Sequence, residues 1–137
     1  MNLNPTKVSA VLCLLTIAAC RKSDDNNTSA GKGGNTAVIA KMAHHNISKN
    51  IINGTVYIKY NSLDAPANDT YDDSIACQII NEVPIAAFPS LKKGDYYFFA
   101  RGYDTSFAAS VVGGTPYTIS DNSTQVDTLA VAVDEKR

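Results

Sequence analysis

The chain has 137 residues, a formal net charge of −1, and 45% hydrophobic against 18% charged side chains. That length suggests one domain, and the balanced charge gives no overall field to steer nucleic acid or an acidic polymer, so it speaks against nucleic-acid binding. The composition can build a core, but the apolar residues are unevenly spread.

The first apolar block is Val8 to Ala19, VSAVLCLLTIAA, behind a short polar start whose only charge is Lys7. As a helix it would reach roughly 18 Å, short of the roughly 30 Å hydrocarbon core of a bilayer. A basic start, a short apolar stretch and small residues before a cut are the marks of a secretory signal peptide, which we assign to residues 1–19. The block ends in Ile17-Ala18-Ala19-Cys20, which resembles the lipobox of bacterial lipoproteins. The resemblance implies cleavage between Ala19 and Cys20, a diacylglycerol in thioether linkage on Cys20, and N-acylation of the new terminus. One acyl chain holds a protein only marginally on a membrane whereas two or more anchor it stably, so the implied partner is the membrane itself. Arg21 stands where an aspartate would resemble the inner-membrane retention signal, which favours the outer membrane. Asp24 and Asp25, behind Lys22 and Ser23, resemble the surface-export signal of some Gram-negative lipoproteins; the periplasmic face is the alternative.

From Arg21 to Asn35, RKSDDNNTSAGKGGN has no large apolar residue. Such a segment reads as a flexible tether of roughly 20 Å, so residues 20–35 are taken as lipidated cysteine plus tether and 36–137 as the folded domain. His44 and His45, the only histidines, are neighbours, and neighbours on a strand point to opposite faces unless a bulge intervenes. No metal site is therefore assigned to them. Asn53-Gly54 suits a tight hairpin turn. In TVYIKY, Val56, Ile58 and Tyr60 alternate against Tyr57 and Lys59. The stretch Asn61–Asp73 is a polar loop in which Asp64, Asp69, Asp72 and Asp73 are weak candidates for calcium, which takes six to eight oxygens; the spacing fits no EF-hand.

IACQII puts Ile75, Cys77 and Ile79 on one face and makes Cys77 a buried thiol. It would be the only cysteine left once Cys13 is removed and Cys20 acylated. Lys92-Lys93-Gly94-Asp95 is a turn before the β-rich DYYFFAR. There Tyr97 and Phe99 alternate against Tyr96 and Phe98, and with Tyr57 they form a candidate platform for a sugar or a partner protein. Gly113-Gly114 reads as another turn, Pro116 as a mark of an edge or strand start, and Asp121-Asn122-Ser123 as a turn. TLAVAV then puts Leu129, Val131 and Val133 together. No window shows a convincing helical period. Short strands with turns at this spacing predict an all-β protein, an antiparallel β-sandwich of about seven strands.

Residues 86–104, AAFPSLKKGDYYFFARGYD, resemble the transthyretin-like, or carboxypeptidase regulatory-like, sandwich modules. The matching positions are Phe88, Leu91, Gly94, Tyr96, Phe98, Ala100, Gly102 and Tyr103, with IINGTVYIKY similar to the early hairpin of the family. The resemblance implies a binding, spacer or display module. An enzymatic relative, the hydroxyisourate hydrolase, ends in Tyr-Arg-Gly-Ser where this chain has Asp-Glu-Lys-Arg, so its activity is not carried over. No nucleophile elbow, zincin, phosphate-loop or Cys-x-x-Cys pattern occurs. The resulting expectation is an outer-membrane, surface-exposed lipoprotein with no catalytic residues and no cofactor beyond the lipid on Cys20. It would act as a structural or interaction module; the alternative is a glycan- or protein-binding accessory of an outer-membrane uptake system.

Overall fold

The computed structural model describes residues 29–137, and these form eight β-strands with no helix among them. The strands are β1 (Lys32–His44), β2 (Ile51–Tyr60), β3 (Asp73–Ala76), β4 (Gln78–Ile80), β5 (Val83–Leu91), β6 (Gly94–Asp104), β7 (Ala109–Ile119) and β8 (Gln125–Glu135). The expected signal peptide of residues 1–19, Cys20 and residues 21–28 of the expected tether lie outside the described residues.

All eight strands belong to one mixed sheet in the order β3-β2-β6-β7-β8-β1-β5-β4. Its two edges, β3 and β4, are consecutive in the chain and separated only by Cys77, so the sheet nearly closes into a barrel. The all-β expectation holds; the count is eight rather than about seven, and one pair is not antiparallel. β1 and β8 run parallel, in register from Thr36 opposite Gln125 to His44 opposite Val133. Parity forces this direction. β1 reverses into β2, and β2, β6, β7 and β8 then alternate in sense, which leaves β8 pointing the same way as β1.

Alternation along the strands builds the core. Val38, Ala40 and Met42 of β1, Val56 and Ile58 of β2, Tyr96, Phe98 and Ala100 of β6, and Leu129, Val131 and Val133 of β8 all point inward. The Phe88 and Phe98 rings meet edge to face at 5.4 Å, an arrangement that suits the aromatic quadrupole. Each large side chain so buried contributes about 1.5–3 kcal/mol.

Several local expectations change. Residues 29–35 are part of the domain: Ala30 is buried, its N–H donates to Asn61 Oδ1 at 2.8 Å, the Gly31 N–H donates to the Tyr96 hydroxyl at 3.0 Å, and Lys32 pairs with Asp73 at 2.6 Å. Small residues stand there because the chain presses against β5 and β6, not because it is solvated. Asn53-Gly54 is no hairpin but a bulge inside β2, with Asn53 at a φ of 52° and a register shift between Ile52 and Thr55. Gly113-Gly114 likewise lies within β7, opposite Ala100 and Phe99. A Cβ on Gly113 would run into the Ala132 carbonyl, and one on Gly114 into the Tyr97 ring, so these glycines permit close approach rather than a turn. IACQII is not one strand: it bends at Cys77, whose N–H donates to the Gly54 carbonyl at 2.8 Å, and Ile79 is exposed beyond the bend. Pro116 marks neither an edge strand nor a strand start: β7 lies between β6 and β8, and Pro116 sits well inside it, opposite Tyr97. It is tolerated there because β7 pairs with β8 only at Val111 and Val112, so the β7–β8 ladder does not reach Pro116.

The molecule consequently has two poles. One carries Ser29 and the turns at 61, 92–93 and 120–124; the other carries the turns at 45–50, 81–82 and 105–108 and the end of β8.

The close approach of β7 to β8 can be tested by thermal or urea denaturation. Gly113→Ala is expected to cost more than about 2 kcal/mol through forced backbone displacement, whereas Val126→Ala, 72% exposed, should stay within about 0.5 kcal/mol.

Candidate functional site

On the outward face of β2 and β6, Tyr57 stands opposite Phe99 in register, with ring centroids 6.3 Å apart. Tyr97 leaves this pair and lies over β7 at Gly114. Two residues that sequence reasoning missed complete the cluster. Tyr71, from the polar loop, stacks on Phe99 at 5.5 Å with an interplanar angle of 12°, and the Arg101 guanidinium lies 5.1 Å from the Phe99 ring and 5.3 Å from that of Tyr57. Arg101 also pairs with Asp69. Burial, followed by the charge of Asp69, pushes the Tyr71 hydroxyl up to about 12. The face is therefore roofed by the chain's own loop, and a ligand stacking on Phe99 must first displace Tyr71. Tyr71 is the lone aromatic of that loop, which was the available signal.

The four loop aspartates do not converge. Asp69 is taken by Arg101, Asp72 by Lys59 at 3.2 Å and by the Tyr60 N–H at 2.7 Å, and Asp73 by Lys32, whose hydrogen bond lowers its carboxyl below the usual range. Asp64 sits in a local turn whose N–H donates to the Ser62 hydroxyl. Three of the four thus already hold a cation or a backbone donor and present no shared set of free oxygens. Cys77 is half-buried against the core beside Met42, its Sγ 3.7 Å from the thioether sulfur. Burial pushes its thiol up to about 11, the opposite of what a nucleophile needs.

The denser chemistry lies at the pole opposite Ser29. β1 ends at His44, and a tight turn follows in which His44 and Ile47 exchange both backbone hydrogen bonds, with His45 at a φ of 48° and Asn46 at 63°. Positive φ at both central residues is the signature of a type I′ turn. This left-handed step swings His45 back beside its neighbour instead of to the opposite face, so the two rings lie 4.2 Å apart. Phe107, from the β6–β7 turn, covers them, its ring 4.9 Å from His44 and 5.6 Å from His45.

His44 is 1% exposed. Its Nδ1 lies 2.8 Å from Oδ2 of Asp104, itself buried at the end of β6. The other oxygen of Asp104 accepts from the Ser106 hydroxyl at 2.5 Å and the Ser106 N–H at 2.8 Å. These bonds, that from the Ser106 hydroxyl foremost, outweigh burial and hold the Asp104 carboxyl down at about 2. An ionised carboxylate accepts only, so we assign the proton to His44 Nδ1. Nε2 then faces the end of β8, 3.4 Å from Glu135 Oε2 and 3.9 Å from Asp134 Oδ1, in no hydrogen-bonding geometry with either. Burial pulls the His44 pKa down, but Asp104 and Glu135 together raise it. The Glu135 carboxyl is lowered below its usual range by hydrogen bonding, with Asp134 first and then with its own N–H and His44. The Ser106 hydroxyl serves Asp104 and not His44, so the pole does not form a nucleophile–base–carboxylate relay.

Comparison of the chain with protein-family models, curated proteins and solved structures finds no match.

The Asp104 carboxyl carries a pH signature. Its pKa falls from 3.8 to about 2 on folding, so its stabilisation is complete above the unfolded value and is lost as pH drops through the folded one. The melting temperature should therefore decline on acidification from about pH 4 to pH 2, and Asp104→Asn should flatten that part of the profile. Parallel profiles in the two proteins would refute the assignment.

Proposed function

We propose that the chain is an outer-membrane lipoprotein, anchored through acyl chains on Cys20 and displayed on the cell surface, whose β domain is a noncatalytic interaction module. The single observation that carries the anchor is Ile17-Ala18-Ala19-Cys20 closing a short apolar run. Ser29, the first described residue, follows nine residues after Cys20. At about 3.3–3.6 Å per residue the intervening chain reaches at most about 30 Å, so the pole bearing Ser29 is the one held within that reach of the lipid. The far pole then stands up to about 40 Å beyond it, the length of a thirteen-residue strand such as β1.

What supports an interaction role is the make-up of that far pole. Ile47, Ile52, Tyr103 and Phe107 are all large and exposed there, beside a buried histidine and two acidic side chains. Apolar side chains gathered at one end, rimmed by polar ones, are the usual mark of a contact surface. What supports the noncatalytic reading is that Cys77 is deactivated and Ser106 is turned away from His44. We also take the sheet as a relative of the transthyretin-like sandwich. Of the positions that carry the resemblance, Phe88, Leu91, Tyr96, Phe98 and Ala100 are core residues of the β5–β6 segment. The second reading, a glycan- or protein-binding accessory of an uptake system, draws on Tyr57, Phe99 and Arg101, and requires Tyr71 to move.

Mass spectrometry of the processed chain should find a triacylated Cys20 at the N-terminus, and Cys20→Ser should abolish membrane recovery. On intact cells, a photocrosslinking side chain at position 107 should capture an outer-membrane protein that the same group at position 126 does not. An unmodified N-terminus would refute the anchor, and equal or absent capture from both positions would refute the polar contact surface.

A further inference from the structure

We propose that the pole formed by the ends of β1 and β8 binds one zinc-class divalent cation through His44 Nε2, His45, Glu135 and Asp134. The four side chains offer ligand atoms that all lie within 4.8 Å of one another. His44 Nε2 is 3.4 Å from Glu135 Oε2 and 3.9 Å from Asp134 Oδ1, and His45 Nε2 is 3.8 Å from Glu135 Oε1. Zinc–nitrogen and zinc–oxygen bonds of about 2.0–2.2 Å set the ligands of a tetrahedral ion about 3.3–3.5 Å apart. The set is thus a tetrahedron opened by a few tenths of an ångström to just over one, and small side-chain rotations close it.

The independent observation is the orphaned nitrogen. His44 is buried, and its Nε2 is a buried side-chain polar atom without a hydrogen-bond partner. A buried unpartnered polar atom costs free energy and calls for an explanation. With Nδ1 bonded to Asp104, the His44 ring aims its unpartnered Nε2 at the Glu135 and Asp134 carboxylates. A buried ring nitrogen and two carboxylates that converge with no hydrogen bond to that nitrogen suit a cation at their centre. Asp104 itself fills the place of the carboxylate that orients a metal-bound histidine from behind. Its Oδ2 bond at 2.8 Å fixes both the tautomer and the ring plane.

Ligand chemistry selects the ion. Two imidazoles and two carboxylates form a borderline set that favours zinc over calcium or magnesium, which prefer all-oxygen shells. With four protein donors the coordination sphere is closed, which is the pattern of a structural rather than a catalytic site. The ion would tie the β1–β2 turn to the tail of β8, which pairs with β7 at Asp134 and Glu135. This inference does not depend on the lipid anchor.

The test uses the full chain, stripped of metal and titrated with Zn2+ alone by calorimetry, with Co2+ as a spectroscopic substitute. Expected are a stoichiometry of one, a melting temperature that rises with added Zn2+, and the intense visible bands of tetrahedral Co2+. His45→Ala combined with Glu135→Gln alters only residues that are not buried; it should keep the strand signature in circular dichroism and lose all three effects. Asp104→Asn should retain binding but weaken it roughly 10–100-fold. Absence of saturable binding, or unchanged binding in the double variant, would overturn the proposal. Octahedral Co2+ bands or tighter binding of Ca2+ would overturn the assigned ligand set.

Discussion

The parallel ladder between β1 and β8 is the constraint on which the rest of the molecule depends. It joins Thr36–His44 to Gln125–Val133 without a break, and among the described strands it is the one ladder that connects the β1-β5-β4 group to the β3-β2-β6-β7-β8 group. Without it the inward residues of the two groups would have no common core. The pairing is also non-local, since it joins the first described strand to the last. Such contacts close only after most of the chain is available, and loop-closure entropy must be overcome before they add stability. Local elements such as the His44–Ile47 turn and the β6–β7 hairpin can form earlier, but the nearly closed sheet cannot.

The same ladder creates the chemistry at the far pole. In an antiparallel neighbour the end of β1 would meet the start of β8. Because the strands run the same way, both finish together, and the acidic tail Asp134-Glu135 emerges beside the histidines that end β1. Two further local events then make a site of this meeting. A left-handed turn brings His45 to the side of His44, and Asp104 of β6, held by the Ser106 hydroxyl and N–H, clamps the His44 ring from behind. None of the three acts alone: the ladder supplies proximity, the turn supplies the second imidazole, and the buried carboxylate supplies orientation.

The sequence carried the faces of strands well and their partners poorly. Val56 and Ile58, Tyr96 and Phe98, and Leu129, Val131 and Val133 were readable as inward residues because a period of two is written in neighbouring positions. The polar loop at 61–72 and the turn at 121–123 were readable for the same local reason. Gly113-Gly114 misled because glycine serves turns and close contacts alike. Which of the two it serves is decided by Ala132 and Tyr97, both distant in sequence and on other strands. The stretch 29–35 misled because small residues look like a tether until β5 and β6 are seen to press on them. The aromatic pair Tyr57 and Phe99 was legible, but its roof of Tyr71 and Arg101 was not, since only the folded loop brings Tyr71 over β6. The two histidines were discounted on strand geometry, and that geometry ends at residue 44.

The far pole depends on His44 being held in one tautomer, with Nδ1–H donated to Asp104 and Nε2 left bare toward Glu135. Long-range nitrogen–proton NMR correlation of the metal-free protein, at a pH above the raised titration of His44, reads this directly. The expected result is a single neutral species with a protonated, hydrogen-bonded Nδ1 and the chemical shift of an unprotonated Nε2. An Nε2–H tautomer, or an averaged pair of shifts like that of free imidazole, would contradict it.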